Sequence, residues 1–179
     1  MRKPTRGTSL SKHLSSFAAP VLVIFVLPFL LLWSRYARRG TIPLSSSWIL
    51  LIPGILVLAL GLALTVLSMI TFLRIGRGAI MPWFPTQRLI VAGPYLWVRN
   101  PMILGILIVL AGEALLFASL AIGVLALCFF VLNTVYFIVS EEKGLRKRFG
   151  DEYIEYCRHV RRWLPRLTPW RPTPQRPYH

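Results

Sequence analysis

The stretch WILLIPGILVLALGLALTVLSMITFL, residues 48–73, contains no charged side chain. At about 1.5 Å per helical residue it reaches farther than the roughly 30 Å of a bilayer's hydrocarbon core, so it reads as a helix that crosses with tilt. Within it, Gly54 and Gly61, with Ala59 and Ala63 at small-xxx-small spacing, offer a flat surface for a neighbouring helix. Three further apolar runs flank it: Phe17 to Trp33, interrupted by Pro20 and Pro28; about Pro101 to Phe117, with Glu113 inside; and Leu120 to Val139, with Asn133 inside. Prolines are tolerated in bilayer helices, so the first run is kinked rather than excluded.

Composition agrees with this reading. Of 179 residues 55% are hydrophobic, yet 21 Lys+Arg stand against 6 Asp+Glu for a net charge of +15, and the mean hydropathy is +0.61. A soluble domain of this size would leave much of that apolar surface wet, and a disordered polycation would be far poorer in aliphatic residues. Segregation resolves the conflict, with apolar residues in the runs and basic residues between them. The first run follows Arg2, Lys3, Arg6 and Lys12 as a signal peptide would, but it is long and lacks a small-x-small cleavage pattern, so it reads as a retained anchor.

Four spans put both ends on one side. Eighteen of the 21 basic residues then fall in the two tails and the central loop, against Arg35, Arg38 and Arg39 opposite. The positive-inside bias makes that basic side cytoplasmic. The last two spans form a hairpin with a short external turn near Ala118-Ser119. The expected fold is all-α, a polytopic membrane helix bundle of about four transmembrane helices with a cytoplasmic amphipathic C-terminal helix. It divides into a basic tail (1–16), two transmembrane helices (17–73), a core of central loop, hairpin and C-terminal helices (74–166), and a Pro-rich disordered tail (167–179).

Several function classes find no support. Cys128 and Cys157 fall at different depths, the three histidines are far apart, and no metal site is expected. There is no phosphate-binding glycine loop or nucleophile elbow. Charges beside membrane spans are explained by orientation and anionic lipid more simply than by nucleic acid.

Polar groups inside a bilayer are expensive, which makes the few present informative. Glu113, about 12 residues into its span, is expected near mid-membrane. It reads either as a protonated acid fixing helix packing or as a functional group. Asn133, Tyr136 or Phe137, Ser140 and Glu141 recur at helical spacing and make a polar stripe toward the cytoplasmic end. Glu141 and Glu142 are two of the 6 acids; they are either solvated acids at a helix exit, paired with Arg146 or Arg148, or carboxylates for a cationic ligand. Lys143 to Phe149 continues that helix, Gly150 stops it, and a second helix over about 152–160 puts Tyr153, Tyr156 and Val160 on one face. From Thr168 the Pro-rich end reads as disordered. The central loop, from Gly76-Arg77-Gly78 through Met81-Pro82-Trp83-Phe84-Pro85, carries more prolines and aromatics than a plain connector needs.

Gly93-Pro94-Tyr95, Val98-Arg99-Asn100-Pro101 with Gly105, Glu141-Glu142 with Leu145, Phe149-Gly150 with Tyr153 and Tyr156, and Arg162-Trp163-Leu164-Pro165 succeed one another around the hairpin. In this order they resemble the isoprenylcysteine carboxyl methyltransferase family and the related phospholipid methyltransferases. The resemblance covers about residues 76–166 and implies an integral-membrane methyltransferase using S-adenosylmethionine. It implies Arg99, Asn100 and Glu142 at the catalytic centre; Glu113, singled out by its place inside a span, joins the expected catalytic group as a proton acceptor where the substrate is an amine. Tyr95, Arg99, Asn100, Pro101, Glu141, Glu142, Tyr153 and Tyr156 would hold the cofactor on the cytoplasmic side. A lipid-like or isoprenoid acceptor would enter between helices and be methylated on a carboxylate oxygen or an amine nitrogen.

Two positions depart from the family pattern. Asn100 stands where well-known members have His, and Ile103 where they have Tyr, which removes one titrating group and one hydroxyl. Other readings are a non-catalytic membrane scaffold or lipid-binding protein of the same fold, and an NADPH-dependent reductase of related architecture.

Overall fold

The computed structural model describes residues 22–39, 48–76 and 89–171, all helix, turn or irregular chain with no strand among them. The N-terminal tail, Pro20, Gly78 and the Met81–Pro85 segment lie outside the described residues. A π-helical turn, Leu22–Val26, leads into α1, Leu27–Arg39. Pro28 is the second residue of α1, where its missing N–H interrupts the ladder least. Next come α2, Trp48–Gly76, then a 3₁₀ turn, Gly93–Leu96, and α3, Pro101–Leu116. The chain continues as α4, Leu120–Tyr136, a second π-helical turn, Phe137–Glu141, and α5, Glu142–His159.

Two helical stretches are long and apolar enough to cross a membrane, Trp48–Ile75 and the one that starts at Leu120. The apolar helices Leu22–Ser34 and Pro101–Leu116 are shorter. Among the described residues the structure thus supplies two candidate spans where the apolar runs predict four.

The α2–α3 pair is the centre of the packing and is built on glycines. Gly54 faces Gly112 and Leu116, while Gly61 faces Gly105 and Val109, so two glycines seven residues apart meet two others in antiparallel register. The backbones are close enough that a Cβ on Gly61 would stand 2.5 Å from the Val109 nitrogen, and one on Gly105 would stand 2.7 Å from the Thr65 nitrogen. Ala59 and Ala63, expected in the same seam, are exposed. Each is two residues from Gly61, about 200° around a helix, and so lies on the opposite side. The buried hydroxyls of Thr65 and Ser68 donate to Gly61 O at 2.8 Å and Leu64 O at 2.6 Å, which satisfies them where no water reaches.

Ile24, Leu32, Ile106, Val109, Leu110 and Ile122 close the core between α1, α3 and α4. The outward residues Ile49, Leu56, Leu60, Leu120, Leu127 and Leu132 are exposed, the surface a bilayer solvates and water does not. At the hairpin turn Ala118 takes φ +42, with Ala118 N–H on Leu115 O and Ser119 N–H on Ala114 O. Gly150, expected as a helix stop, has φ 50 and ψ −127 and breaks α5 into two arms.

Candidate functional site

The segment between α2 and α3 is held from both ends. Gly93, at φ +54, packs against Thr71 near the end of α2, and Pro94 presets the 3₁₀ turn. Tyr95 is thereby buried. Asn100 precedes α3 with Pro101 at its start; its side chain makes no capping hydrogen bond and is not committed to the helix end.

After α5 the chain returns over this segment as a strap. Arg99 N–H donates to Arg161 O, Arg166 N–H to Trp97 O, and Trp170 N–H to Leu96 O, each at 2.9 Å. The Tyr156 hydroxyl donates to Tyr95 O at 2.7 Å in the buried interior. Trp170 stacks on His159, 5.2 Å and 10° between rings, and lies 5.7 Å from Tyr156. The guanidinium of Arg166 donates to the carbonyls of His159 and Thr168. The tail expected to be without structure from Thr168 is therefore part of the fold as far as Arg171. Composition missed this because the anchors are backbone N–H groups and one tryptophan, not an apolar run.

Strap, loop and α5 meet at Glu142. Its Oε1 accepts from Arg99 Nη1 at 3.2 Å, from Arg162 Nε at 2.9 Å and from Arg162 Nη2 at 2.8 Å. Arg99 Nη1 also lies 2.8 Å from Cys157 Sγ. The preceding π-helical turn sets this aim: Glu142 N–H bonds Phe137 O, five residues back rather than four, and the extra residue rotates the face presented by the start of α5. Glu141, just beyond the uncharged run of α4, has its carboxyl pushed up to about 7. Burial is the main cause, Arg148 opposes it and Glu142 adds to it. Burial likewise raises the Tyr95, Tyr153 and Tyr156 hydroxyls, with Glu141 adding at Tyr95 and Cys157 at Tyr153. These tyrosines stay neutral at physiological pH.

Of the expected site residues, Tyr95, Arg99, Asn100, Glu142, Tyr153 and Tyr156 belong to these facing segments, with Pro101 at the start of α3 and Glu141 at the end of the π-helical turn directly beside them. Glu113 does not. It sits in the last turn of α3, 14 positions after Arg99 and about 20 Å along the axis. Because α3 ends at Leu116, Glu113 is close to the hairpin turn rather than midway, buried with Oε2 lacking a partner. Asn133 Nδ2 and the Thr134 hydroxyl donate within α4, to Phe129 O and Phe130 O at 2.8 Å, Phe137 is buried and Ser140 exposed. Ile103 packs against the apolar core.

Arg162, Cys157 and Trp170 are the participants that sequence reasoning missed. Arg162 stands in the Arg162-Trp163-Leu164-Pro165 motif, but among the ten basic residues after Glu142 nothing in the sequence marks it as the one that folds back onto that acid.

The arrangement suits a ligand with a carboxylate. Arg99 Nε–H is buried without a partner, and two guanidiniums against one fully committed carboxylate oxygen leave positive charge over. Glu141 and Asn100 supply a carboxyl and an amide for an ammonium or for hydroxyls. Among the described residues no three His, Cys, Asp or Glu side chains are grouped to hold a metal ion.

A family model described as Phospholipid methyltransferase matches residues 49–152, from the start of α2 past the Gly150 break. No curated protein and no solved structure matches the chain.

Proposed function

From the premise that the chain belongs to the phospholipid methyltransferase family, we propose that it transfers a methyl group from S-adenosylmethionine to a lipid-like acceptor. Transfer would occur where the Arg99–Glu142–Arg162 cluster meets the membrane. The observation that carries this reading is the unpartnered Arg99 Nε–H beside a carboxylate already gripped by two arginines. A buried donor left unpaired costs about 1–3 kcal/mol, which an incoming carboxylate would recover.

S-adenosylmethionine supplies an electrophilic methyl group on a cationic sulfur. Arg99 would take the carboxylate of its amino acid end, and Asn100 and Glu141 its ammonium and hydroxyl groups. Tyr95, Tyr153 and Tyr156, neutral and mostly enclosed, would wall the site against water. With little proton chemistry to perform, holding donor and acceptor in line is the main contribution such a site can make.

A carboxylate acceptor arrives ionised and needs no base. An amine acceptor must lose a proton, and Glu141, poised near 7, is suited to take it. Glu113 is too far from the cluster for that role. The eighteen basic residues on one side of the expected topology support a cytoplasmic site, with both tails on that side.

Calorimetry on the detergent-solubilised protein tests the cofactor directly. Wild type should bind S-adenosylmethionine saturably, and Arg99→Gln should weaken binding at least about tenfold, the worth of one charge-assisted hydrogen bond, with its helical signal intact. Absence of saturable binding to folded wild type would sink the reading and favour a scaffold. Incubation with membrane extract and methyl-labelled cofactor would then show whether label enters phospholipid amine or isoprenoid carboxylate.

A further inference from the structure

Trp163 comes directly after Arg162 in the strap, one residue from the grip on Glu142, and turns its indole to the end of α4. Its ring centre lies 5.3 Å from Phe130 and 5.9 Å from Phe137, at 56° and 73°. The indole Nε1–H is closed off from solvent and has no hydrogen-bond partner. A donor so enclosed is held at a cost unless an acceptor is brought to it. Around the helix from Phe130 and Phe137, the neighbouring face carries the exposed Val131, Val135 and Ile138, an apolar surface that lipid chains cover. Trp163 thus stands where hydrocarbon surface ends and the charged cluster begins, the level at which tryptophan presents a ring to chains and an N–H to headgroups.

We propose that Trp163, seated on Phe130 and Phe137, is the subsite for the methyl-accepting lipid. Its indole N–H donates to an anionic oxygen at headgroup level, while the chain lies along the exposed face of α4. Only the oxygen's chemistry is specified, either a glycerophospholipid phosphodiester or the carboxylate of a prenylated cysteine. Arg162, the residue before Trp163, puts a guanidinium in the same strap, which favours an anionic over a neutral oxygen here. That the lipid is methylated rests on the methyltransferase reading; the subsite itself rests on the orphan N–H and the lipid-facing wall.

The test uses full-length protein in detergent, labelled with 5-fluorotryptophan, with the Trp163 fluorine resonance identified by its absence in Trp163→Phe. Titration with dihexanoylphosphatidylethanolamine and with S-farnesylcysteine should shift that resonance saturably for one of the two, and hexadecane should leave it in place. Phe137→Leu, which removes one seating ring, should weaken the shift. Trp163→Phe keeps a ring and loses the N–H, so the acceptor KM should rise about 3- to 10-fold, with kcat and cofactor affinity unchanged. No shift with either ligand, an equal shift with hexadecane, or a parallel loss of cofactor affinity in Trp163→Phe would overturn the subsite. If wild type binds no S-adenosylmethionine while the Trp163 resonance still responds, the lipid subsite stands and the methyltransferase reading falls.

Discussion

Arg162 lays both Nε and Nη2 on a single oxygen of Glu142, at 2.9 and 2.8 Å, from the far side of the Gly150 break. The pair closes a loop of chain in which the second arm of α5 and the start of the strap are tied back to the end of the π-helical turn. Arg99 reaches the same oxygen from the loop before α3, so one carboxylate registers three segments distant in sequence.

Glu142→Gln should therefore be worse than Arg162→Ala. Removing the anion leaves two partly buried guanidiniums facing each other, whereas removing Arg162 leaves Arg99 paired. For fully buried ion pairs, loss of one partner costs roughly 3–5 kcal/mol. These side chains keep 13–22% of their exposure, so about 2 kcal/mol is expected for Glu142→Gln and about 1 kcal/mol for Arg162→Ala. Thermal unfolding in detergent measures both. Arg162→Lys, which keeps the charge and loses the fork, should recover only part of the loss.

The α2–α3 seam makes a sharper prediction, because two positions of similar composition should behave oppositely. Gly61→Ala would place a methyl group 2.5 Å from a backbone nitrogen, so the helices must separate, at roughly 1–3 kcal/mol. Ala63→Leu adds more bulk but points outward and should leave stability within about 0.5 kcal/mol. Comparable melting temperatures for the two variants would contradict the observed register.

How much of the molecule is legible in its sequence depends on which interactions a sequence records. Periodic apolar runs mark helices whatever their partners, so α2, the hairpin and the break at Gly150 could be anticipated. The seam was half legible. Gly54 and Gly61 announced a close contact, but assigning Ala59 and Ala63 to it ignored the angle around the helix, and their true complements, Gly105 and Gly112, repeat the same seven-residue interval. The paired acids were found because acids are rare in this chain. The pairing of Arg162 with Glu142 and the anchoring of Trp170 were not legible, because they act across chain separations that only the strap's backbone hydrogen bonds establish. Glu113 lies nearer the turn than mid-span because it is three residues from the end of α3 at Leu116, a position that the run's own end at Phe117 already indicated.

Ala118 offers a stabilising change. A residue with a Cβ at φ +42 sits in the left-handed region, which disfavours L side chains by about 1–2 kcal/mol, and glycine occupies it freely. Ala118 is exposed, so its methyl group contributes little packing in return. Ala118→Gly should raise stability by up to about 1 kcal/mol after the extra unfolded-state entropy of glycine is subtracted. An unchanged or lower melting temperature would show that the turn does not hold that conformation.

Glu141 should make stability depend on pH in a direction opposite to a salt-bridged acid. Its carboxyl is raised from an ordinary 4.5 to about 7, mainly by burial. Between these values the folded protein holds a proton that the unfolded chain has released, so stability falls as pH rises through this window. Below 4.5 both states are protonated and the contribution is fully present; above about 7 both are ionised and it is lost. Glu141→Gln, which stays neutral throughout, should flatten this part of the curve and gain on wild type progressively from pH 4.5 to 7. Arg148→Ala removes the charge that opposes the shift, so the fall should extend to higher pH. Melting temperatures of the three proteins across pH 4 to 8 decide the matter, and a wild-type curve parallel to that of Glu141→Gln would mean that the carboxyl ionises as it does in water.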